Sequence, residues 1–516
     1  MEMTMATLIF RRNTKIGNLD AETDTFLKSC FLETDVYSNL LSFEDGIDFA
    51  KRIIVGRTGS GKTALIKQLS ENPKIKKHLT IEAESTVFEH IKNNVFISKL
   101  IDNNVDLRIF YKSLWIHVLL VKVVELLYPG KNFFEMMLDL PTTGKKKYNA
   151  TLAKEYVEKF KDNFFNESIV SEITEKMQLE LAGGFTLPPA KLDGKANTEL
   201  TEKIQRATAQ YVSTELLRKQ KELIKVLTEE KSREGQHRFI ISIDDLDKSW
   251  LSSSEIRYDF INSLLDAFKE LLDIKTVKII ISIRTDIIRG IYLKNLRQEE
   301  KDKSLILDIH WDKLQIQKIL DNRIDFLIKD KYQSNATTRF SDIFSFPIKN
   351  EVAQDYILRR TMLRPRDAID FVNLCLSEAD GSTALNENQV IEAEEKFYVS
   401  RKQALCKEWA SIFPQITRYI NGLAEIETPS FFSVDIQDKI EQIQMAILSY
   451  TQEASDTLTN DMVSDFNLLL NIWFIVGVIG IKKSDSLIIY SSFEKQELDI
   501  SDYKKEFYIH PLFFRY

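Results

Sequence analysis

Residues Gly56-Arg57-Thr58-Gly59-Ser60-Gly61-Lys62-Thr63 bring three glycines, a lysine and a hydroxyl to the spacing G-x-x-x-x-G-K-[ST]. Glycine permits the tight turns that aim consecutive backbone N–H groups at one point, where phosphate oxygens can sit. The apolar run Ile53-Ile54-Val55 leads into this stretch, and Ala64-Leu65-Ile66 open a helical pattern after it. A loop between a strand and a helix start adds the positive end of the helix macrodipole to the same point. The chemistry expected of Gly56, Arg57, Thr58, Gly59, Ser60, Gly61, Lys62, Thr63 and Ala64 is the cradling of a nucleoside triphosphate, ATP. Lys62 is assigned to the β- and γ-phosphates as a catalytic group, and the Thr63 hydroxyl to Mg²⁺. The alternative is a glycine-rich βα turn that binds nothing; the flanks and the acidic strand later in the chain argue against it.

A second stretch, Phe239–Ile243, reads as a strand buried on both faces and ends in Asp244-Asp245. Asp244 is assigned to the Mg²⁺ shell, and Asp245 to orienting or deprotonating the attacking water. Asp245 is one methylene shorter than a glutamate, which argues against fast hydrolysis. The other reading of Asp245-Leu246-Asp247 is a cap for the following helix, a role that suits Asp247. Val277–Ile283 is a third buried run and ends in Arg284. A cation there can reach a γ-phosphate as a catalytic group or pair with a nearby carboxylate, and both readings stay open. Arg364 and Arg366 flank Pro365 at a helix start. Arg366 is a further catalytic candidate, reaching phosphates from a lid; an arginine pair with Asp367 is the alternative.

These groups need a scaffold. Five apolar runs, Ile53–Val55, Leu79–Ala83, Phe239–Ile243, Val277–Ile283 and Leu305–Ile309, alternate with helical patterns. That alternation predicts an α/β fold with an open parallel sheet and its sites at the C-terminal strand ends. Residues 1–50 form an N-terminal segment with a helix expected over Ile16–Leu41, either closing over the nucleotide base or packing on the core. The core is expected at 51–106 and 236–311, interrupted by an all-helical insertion at 107–235. Within the insertion, Leu107–Leu127 has a broad apolar face, Ala182–Asn197 is a Gly/Pro-rich loop, and the polar helix Glu199–Lys231 can form a hairpin with 151–182. A helical lid is expected over 312–409. Residues 410–516 show helical patterns at Ser411–Leu423, Ser433–Tyr450 and Asp461–Val478. Strands at Leu487–Tyr490 and Phe507–His510 follow, as in a small winged-helix module.

The net charge is −7, so no global positive field draws in nucleic acid. From residue 410 onward there are 8 Lys/Arg and 15 Asp/Glu, so 8 − 15 = −7. Phosphate contacts need basic residues, and Lys482-Lys483 is the obvious basic pair of the tail, so DNA is a disfavoured partner. Cys30, Cys375 and Cys406 match no metal or redox spacing and read as buried or neutral thiols. His510 reads as a packed core histidine. The N-terminus lacks the pattern of a secretory signal. The longest apolar run, Leu468–Ile481, is shorter than the roughly 20 residues a bilayer needs. A soluble cytoplasmic protein is expected, with no membrane contact.

The stretches IGNLDAETD, GRTGSGKTAL, FYKSLWIHV, IDDLDKSW, ISIRTDI, RQEEK, RPRDAIDFVN and IHPLFFR resemble those of a family of bacterial P-loop ATPases related to the AAA+ and STAND groups. The resemblance implies an AAA+-like core, a helical lid and a C-terminal winged-helix-like domain. It implies Walker A roles for Lys62 and Thr63 and Walker B roles for Asp244 and Asp245. It makes Arg284 a sensor-1-like arginine and Arg364 or Arg366 a sensor-2-like one, with Arg323 and Arg360 as candidates for an inter-subunit arginine finger. Such relatives often sit in mobile or phage-defence gene neighbourhoods. The leading expectation is a slow ATPase that switches its engagement of a protein partner, or of a second copy, with nucleotide state. The competing expectation is a DNA-handling, initiator-like ATPase that reads DNA through its tail.

Overall fold

Strands form here where apolar runs are long enough to be covered from both faces. The computed structural model describes residues 9–43, 52–82, 91, 93–128, 132–140, 147–160, 164, 169–182, 195–231, 238–244, 246, 254–294, 298–332, 336–448, 465–484 and 487–514. Asp245, Asp247, Ala83 and most of the Ala182–Asn197 loop lie outside the described residues. The chain divides into two units: residues 35–55 with 66–307, and residues up to 34 with 56–65 and 308–516.

The first unit is built on a sheet of β1 (Ile53–Gly56), β2 (Lys77–Glu82), β3 (Phe239–Asp244), β4 (Val277–Arg284) and β5 (Ile306–Asp308), in the order β2-β3-β4-β1-β5. Strands β2, β3 and β4 run parallel, with Lys77–Glu82 opposite Phe239–Asp244 and Phe239–Ile243 opposite Val277–Ile281. Each of β3 and β4 is buried at every position but its last, as continuous apolar runs require. The edge strand β2 is exposed or half-buried over most of its length, with Ile81 its one fully buried residue. Lys278 is fully buried in mid-β4; its amine donates to the carbonyls of Leu40 (3.1 Å) and Ser42, so a cation closes the C-terminal end of helix Asp35–Leu41.

The expected helix Leu107–Leu127 is observed as Arg108–Leu127, buried on nearly every side. It packs on helix Ser254–Glu270, where Trp115 Nε1 donates to the Phe260 carbonyl at 3.2 Å. The expected hairpin is replaced by a pairing of helices distant in sequence, Lys147–Lys159 and Arg218–Lys231, with Gln220 Nε2 donating to Tyr156 OH at 2.7 Å. Glu199–Lys231 is not one continuous helix: a π-helical turn, Val212–Leu217, separates Lys195–Tyr211 from Arg218–Lys231. That turn re-phases the buried stripe, so Ile204, Val212, Leu216 and Leu223 all reach the interior.

In the second unit the expectation of a helix over Ile16–Leu41 fails. The helical pieces are Leu27–Cys30 and, in the other unit, Asp35–Leu41. The reason is local competition. Asp24 accepts the amides of Asn18 (3.1 Å) and Phe26 (3.2 Å), and Asn18 donates to the Thr23 carbonyl (3.0 Å), so side chains claim the backbone groups a helix would use. Asp24 also pairs with Arg323 at 2.6 Å, both side chains almost fully buried. Arg360 is likewise buried against Glu394 (2.8 Å). Both guanidinium groups are spent inside their own chain, which removes Arg323 and Arg360 as inter-subunit fingers.

Helices Lys313–Tyr332, Ala353–Leu358 and Pro365–Glu378 stand where expected. The hairpin β6 (Pro347–Ile348) and β7 (Glu351–Val352) lies between the first two. A long helix that the sequence pattern left unassigned, Glu387–Trp409, follows. The tail carries helices Ile416–Asn421, Gln437–Leu448 and Phe466–Val476, and strands β8 (Ser430–Phe431), β9 (Ile479–Ser484), β10 (Leu487–Ile489) and β11 (Phe507–Ile509). These strands pair in the order β10-β9-β11-β8, giving four where two were expected. The tail thus combines helices with a small antiparallel sheet. Gly477, at φ +83°, ends the last helix and frees Ile479–Ser484 to become a strand. Among the described residues no helix is long and apolar enough to cross a membrane.

Two buried histidines predict a loss of stability in acid. Burial holds His117 at a pKa of about 3, where it shares a hydrogen bond with Tyr156 OH at 2.5 Å. Burial, then the charges of Arg360, Arg364 and Arg57, holds His510 at about 3. Folded, both are neutral; unfolded, each takes up a proton near 6.5. The unfolded chain therefore binds more protons as pH falls from 6.5 towards 3, and each site costs about 1.4 kcal/mol per pH unit in that window. Thermal melts from pH 7.5 to 5 should show Tm falling. In His510→Asn, whose amide oxygen can still accept the Leu512 N–H, the fall should be shallower.

Candidate functional site

The glycine-rich loop has the backbone its sequence requires. Gly59 (φ +82°) and Gly61 (φ +96°) occupy the left-handed region, which side chains rarely adopt. A Cβ on Gly59 would also lie 2.9 Å from Arg366 Cβ. Helix Lys62–Ser70 begins at the end of the loop, so its unsatisfied N–H groups face the turn. Lys62 Nζ donates to the carbonyls of Gly56 (2.9 Å) and Arg57 (3.1 Å), folding the cation back over the loop. The hydroxyls of Thr58 and Ser60 are buried, with no hydrogen-bond partner among the described residues. A polar cradle with two left-handed glycines and two unsatisfied hydroxyls fits the phosphate groups of a nucleotide.

Around this loop the second unit assembles cations. Arg366 donates its backbone N–H to the Gly59 carbonyl (3.3 Å) and its Nε to the Leu19 carbonyl (3.2 Å). Arg364, the N-cap of helix Pro365–Glu378, donates to the Thr58 carbonyl at 3.1 Å. Both arginines therefore stand at the loop, and the alternative of a simple cap on Asp367 describes only a 3.9 Å contact of Arg364. Asp367 is instead held by Arg401 at 2.8 Å. Trp311 Nε1 donates to the Ser60 carbonyl at 2.8 Å.

Sequence reasoning missed Glu408. Its carboxylate accepts the Thr58 amide at 3.3 Å, and it pairs with Arg57 (3.5 Å) and Arg364 (3.3 Å). The available signal was the capping box of Asn386 with Gln389, which marks the start of the helix that carries it. Arg57, assigned to phosphate, donates its Nη2 to the Val476 carbonyl at 2.9 Å, and burial lowers its pKa to about 10.

In the first unit, Asp244 ends β3 and Arg284 ends the neighbouring β4, and β4 lies between β3 and β1. Arg284 makes a two-pronged pair with Asp286, both bonds 2.8 Å. The structural pairing left open by the sequence is thus the one observed for its guanidinium. Among the described residues no His, Cys, Asp and Glu cluster forms a preformed metal cage.

A family model described as the KAP family P-loop domain matches residues 53–313, from the first residue of β1 to the start of helix Lys313–Tyr332. The chain belongs to the KAP P-loop family. This makes its core an α/β P-loop NTPase fold, a nucleotide-binding domain. A second model, the FunZ-associated C-terminal helical domain, matches residues 314–406, the region of the helices that hold Arg364 and Arg366. The chain is similar to the putative transposon gamma-delta 80.3 kDa protein of Escherichia coli (strain K12), at 20% identity over 484 residues. The match covers 93% of this chain and spans 63% of the length of that relative. No solved structure matches the chain.

Proposed function

We propose that this KAP-family chain binds ATP with Mg²⁺, hydrolyses it slowly, and uses the nucleotide state to switch its engagement of a partner protein or of a second copy. The observation that carries this reading is the loop itself. Its left-handed glycines, lysine and unsatisfied hydroxyls lie beside Arg364 and Arg366, in a unit that also contains the C-terminal module. Lys62 would hold the β- and γ-phosphates, and Thr63 and Asp244 the metal. Asp245 would position water, with Arg284 and Arg366 at the γ-phosphate. Bound Mg²⁺ neutralises phosphate charge and orients it. For Arg284 this role requires giving up part of its pairing with Asp286.

The DNA-handling reading has weaker support, because the Lys482 amine is engaged by Glu506 at 3.1 Å. The transposon in the relative's name and the phage-defence setting implied by the resemblance both concern mobile DNA, and a nucleotide switch can serve either. The test is ligand-dependent stability. A non-hydrolysable ATP analogue at about 100 times its Kd should stabilise the protein by about 2.7 kcal/mol with Mg²⁺ present. Most of that gain should vanish with chelator. A melting curve indifferent to nucleotide at millimolar concentration would remove the proposal.

A further inference from the structure

Glu408 sits in the last turn of helix Glu387–Trp409, where the helix macrodipole disfavours a carboxylate. It is nonetheless buried there, 4% exposed. Its two oxygens close a ring around one loop residue. Oε1 accepts the Thr58 N–H, Oε2 takes Arg364 Nη1, and Arg364 Nη1 donates to the Thr58 carbonyl. Both backbone polar groups of Thr58, at the apex of the phosphate-binding loop, are therefore held by two lid residues. The same carboxylate is the counter-ion shared by half-buried Arg57 and buried Arg364; without it, two neighbouring cations face one another.

Arg57 carries this arrangement further. Its Nη2 donates to the Val476 carbonyl, the last residue of helix Phe466–Val476, so a cation completes that helix C-terminus. The guanidinium also lies over the Trp409 ring, 5.8 Å from its centre. The approach is tight: a Cβ on Gly477 would come within 2.8 Å of Arg57 Nη1. One P-loop side chain thus joins the loop, the end of the Glu408 helix and the end of a helix in the C-terminal module.

We propose that Glu408 is a positioning residue that presets the apex of the P-loop for nucleotide, and that Arg57 couples nucleotide binding to the end of helix Phe466–Val476. This rests on the reading of the loop as an ATP site. A ligand that orders the loop fixes Arg57, and Arg57 in turn holds the Val476 carbonyl, so binding and the order of that helix end are linked reciprocally.

The experiment is hydrogen exchange by mass spectrometry on the full chain, with and without Mg²⁺ and a non-hydrolysable ATP analogue. A titration of the same analogue runs beside it. In the wild type the analogue should slow exchange several-fold in peptides covering Phe466–Val478. Arg57→Ala, held at an analogue concentration that its own titration shows to be saturating, should lose that slowing. Glu408→Gln keeps the shape but not the charge, and should bind about tenfold more weakly at a temperature where it is folded. Saturating binding to the wild type with unchanged exchange over Phe466–Val478 overturns the coupling, as does slowing that survives in Arg57→Ala. A Glu408→Gln chain that melts earlier yet binds as tightly as wild type reduces Glu408 to a structural ion pair. If the wild type binds no nucleotide at all, the ATP reading fails and this proposal falls with it.

Discussion

Lys62→Ala is expected to take ATP binding below detection, a loss of at least about 100-fold. In the structure the Lys62 amine rests on two loop carbonyls, at 2.9 and 3.1 Å, and is ready to exchange them for phosphate oxygens. A charge-assisted hydrogen bond contributes about 1.5–3 kcal/mol, so losing contacts to two phosphates costs about 3–6 kcal/mol, where about 1.4 kcal/mol is tenfold. The fold should survive. The loop conformation is also held by Trp311 on Ser60 and by Arg364 and Glu408 on Thr58. Isothermal titration with Mg²⁺ and a non-hydrolysable analogue, run with a melting curve for each protein, separates lost binding from lost folding. Unchanged affinity in a folded Lys62→Ala protein refutes the assignment of the loop.

How much of this was legible beforehand depended on the range of the interactions. The strands β1, β3 and β4 came through because a strand covered on both faces must be apolar throughout, a local property of Ile53–Val55, Phe239–Ile243 and Val277–Ile283. The loop came through because its backbone needs glycine at fixed positions. Ile16–Leu41 failed for the opposite reason. Its helical spacing was real, but Asp24 found Arg323, about 300 residues away in sequence, and its own neighbours' amides, and the turn won. Glu408 was invisible because nothing near it in sequence marks it; a carboxylate near a helix C-terminus carries no motif. Its meaning comes from Thr58, Arg57 and Arg364, which folding brings to it. The tail sheet was half read: the helical pattern was followed to Val478 without a strand after it, and Gly477 was the break that separates helix from β9.

The acidic pair at the end of β3 should split into two phenotypes. Asp245→Asn is expected to leave ATP bound while reducing turnover by about 10²–10⁴-fold, the share a positioned base contributes. An amide can still hydrogen-bond a water but cannot take its proton. Asp244→Asn should act earlier, weakening the Mg²⁺ dependence of binding along with turnover, because a neutral ligand to the metal shell neutralises less charge. The two roles follow from position. Asp244 is still a strand residue, opposite Glu82 of β2 and held in register by the sheet, which suits a fixed metal partner. Asp245 is the next residue in the sequence, the position assigned to the attacking water. Phosphate release measured at saturating ATP, beside analogue affinity measured across Mg²⁺ concentrations, resolves the pair. An Asp245→Asn protein that hydrolyses at the wild-type rate would mean that another residue orients the water. An Asp244→Asn protein with normal Mg²⁺ dependence would leave Thr63 as the metal's contact with the chain, and Asp244 as an ordinary strand-end charge.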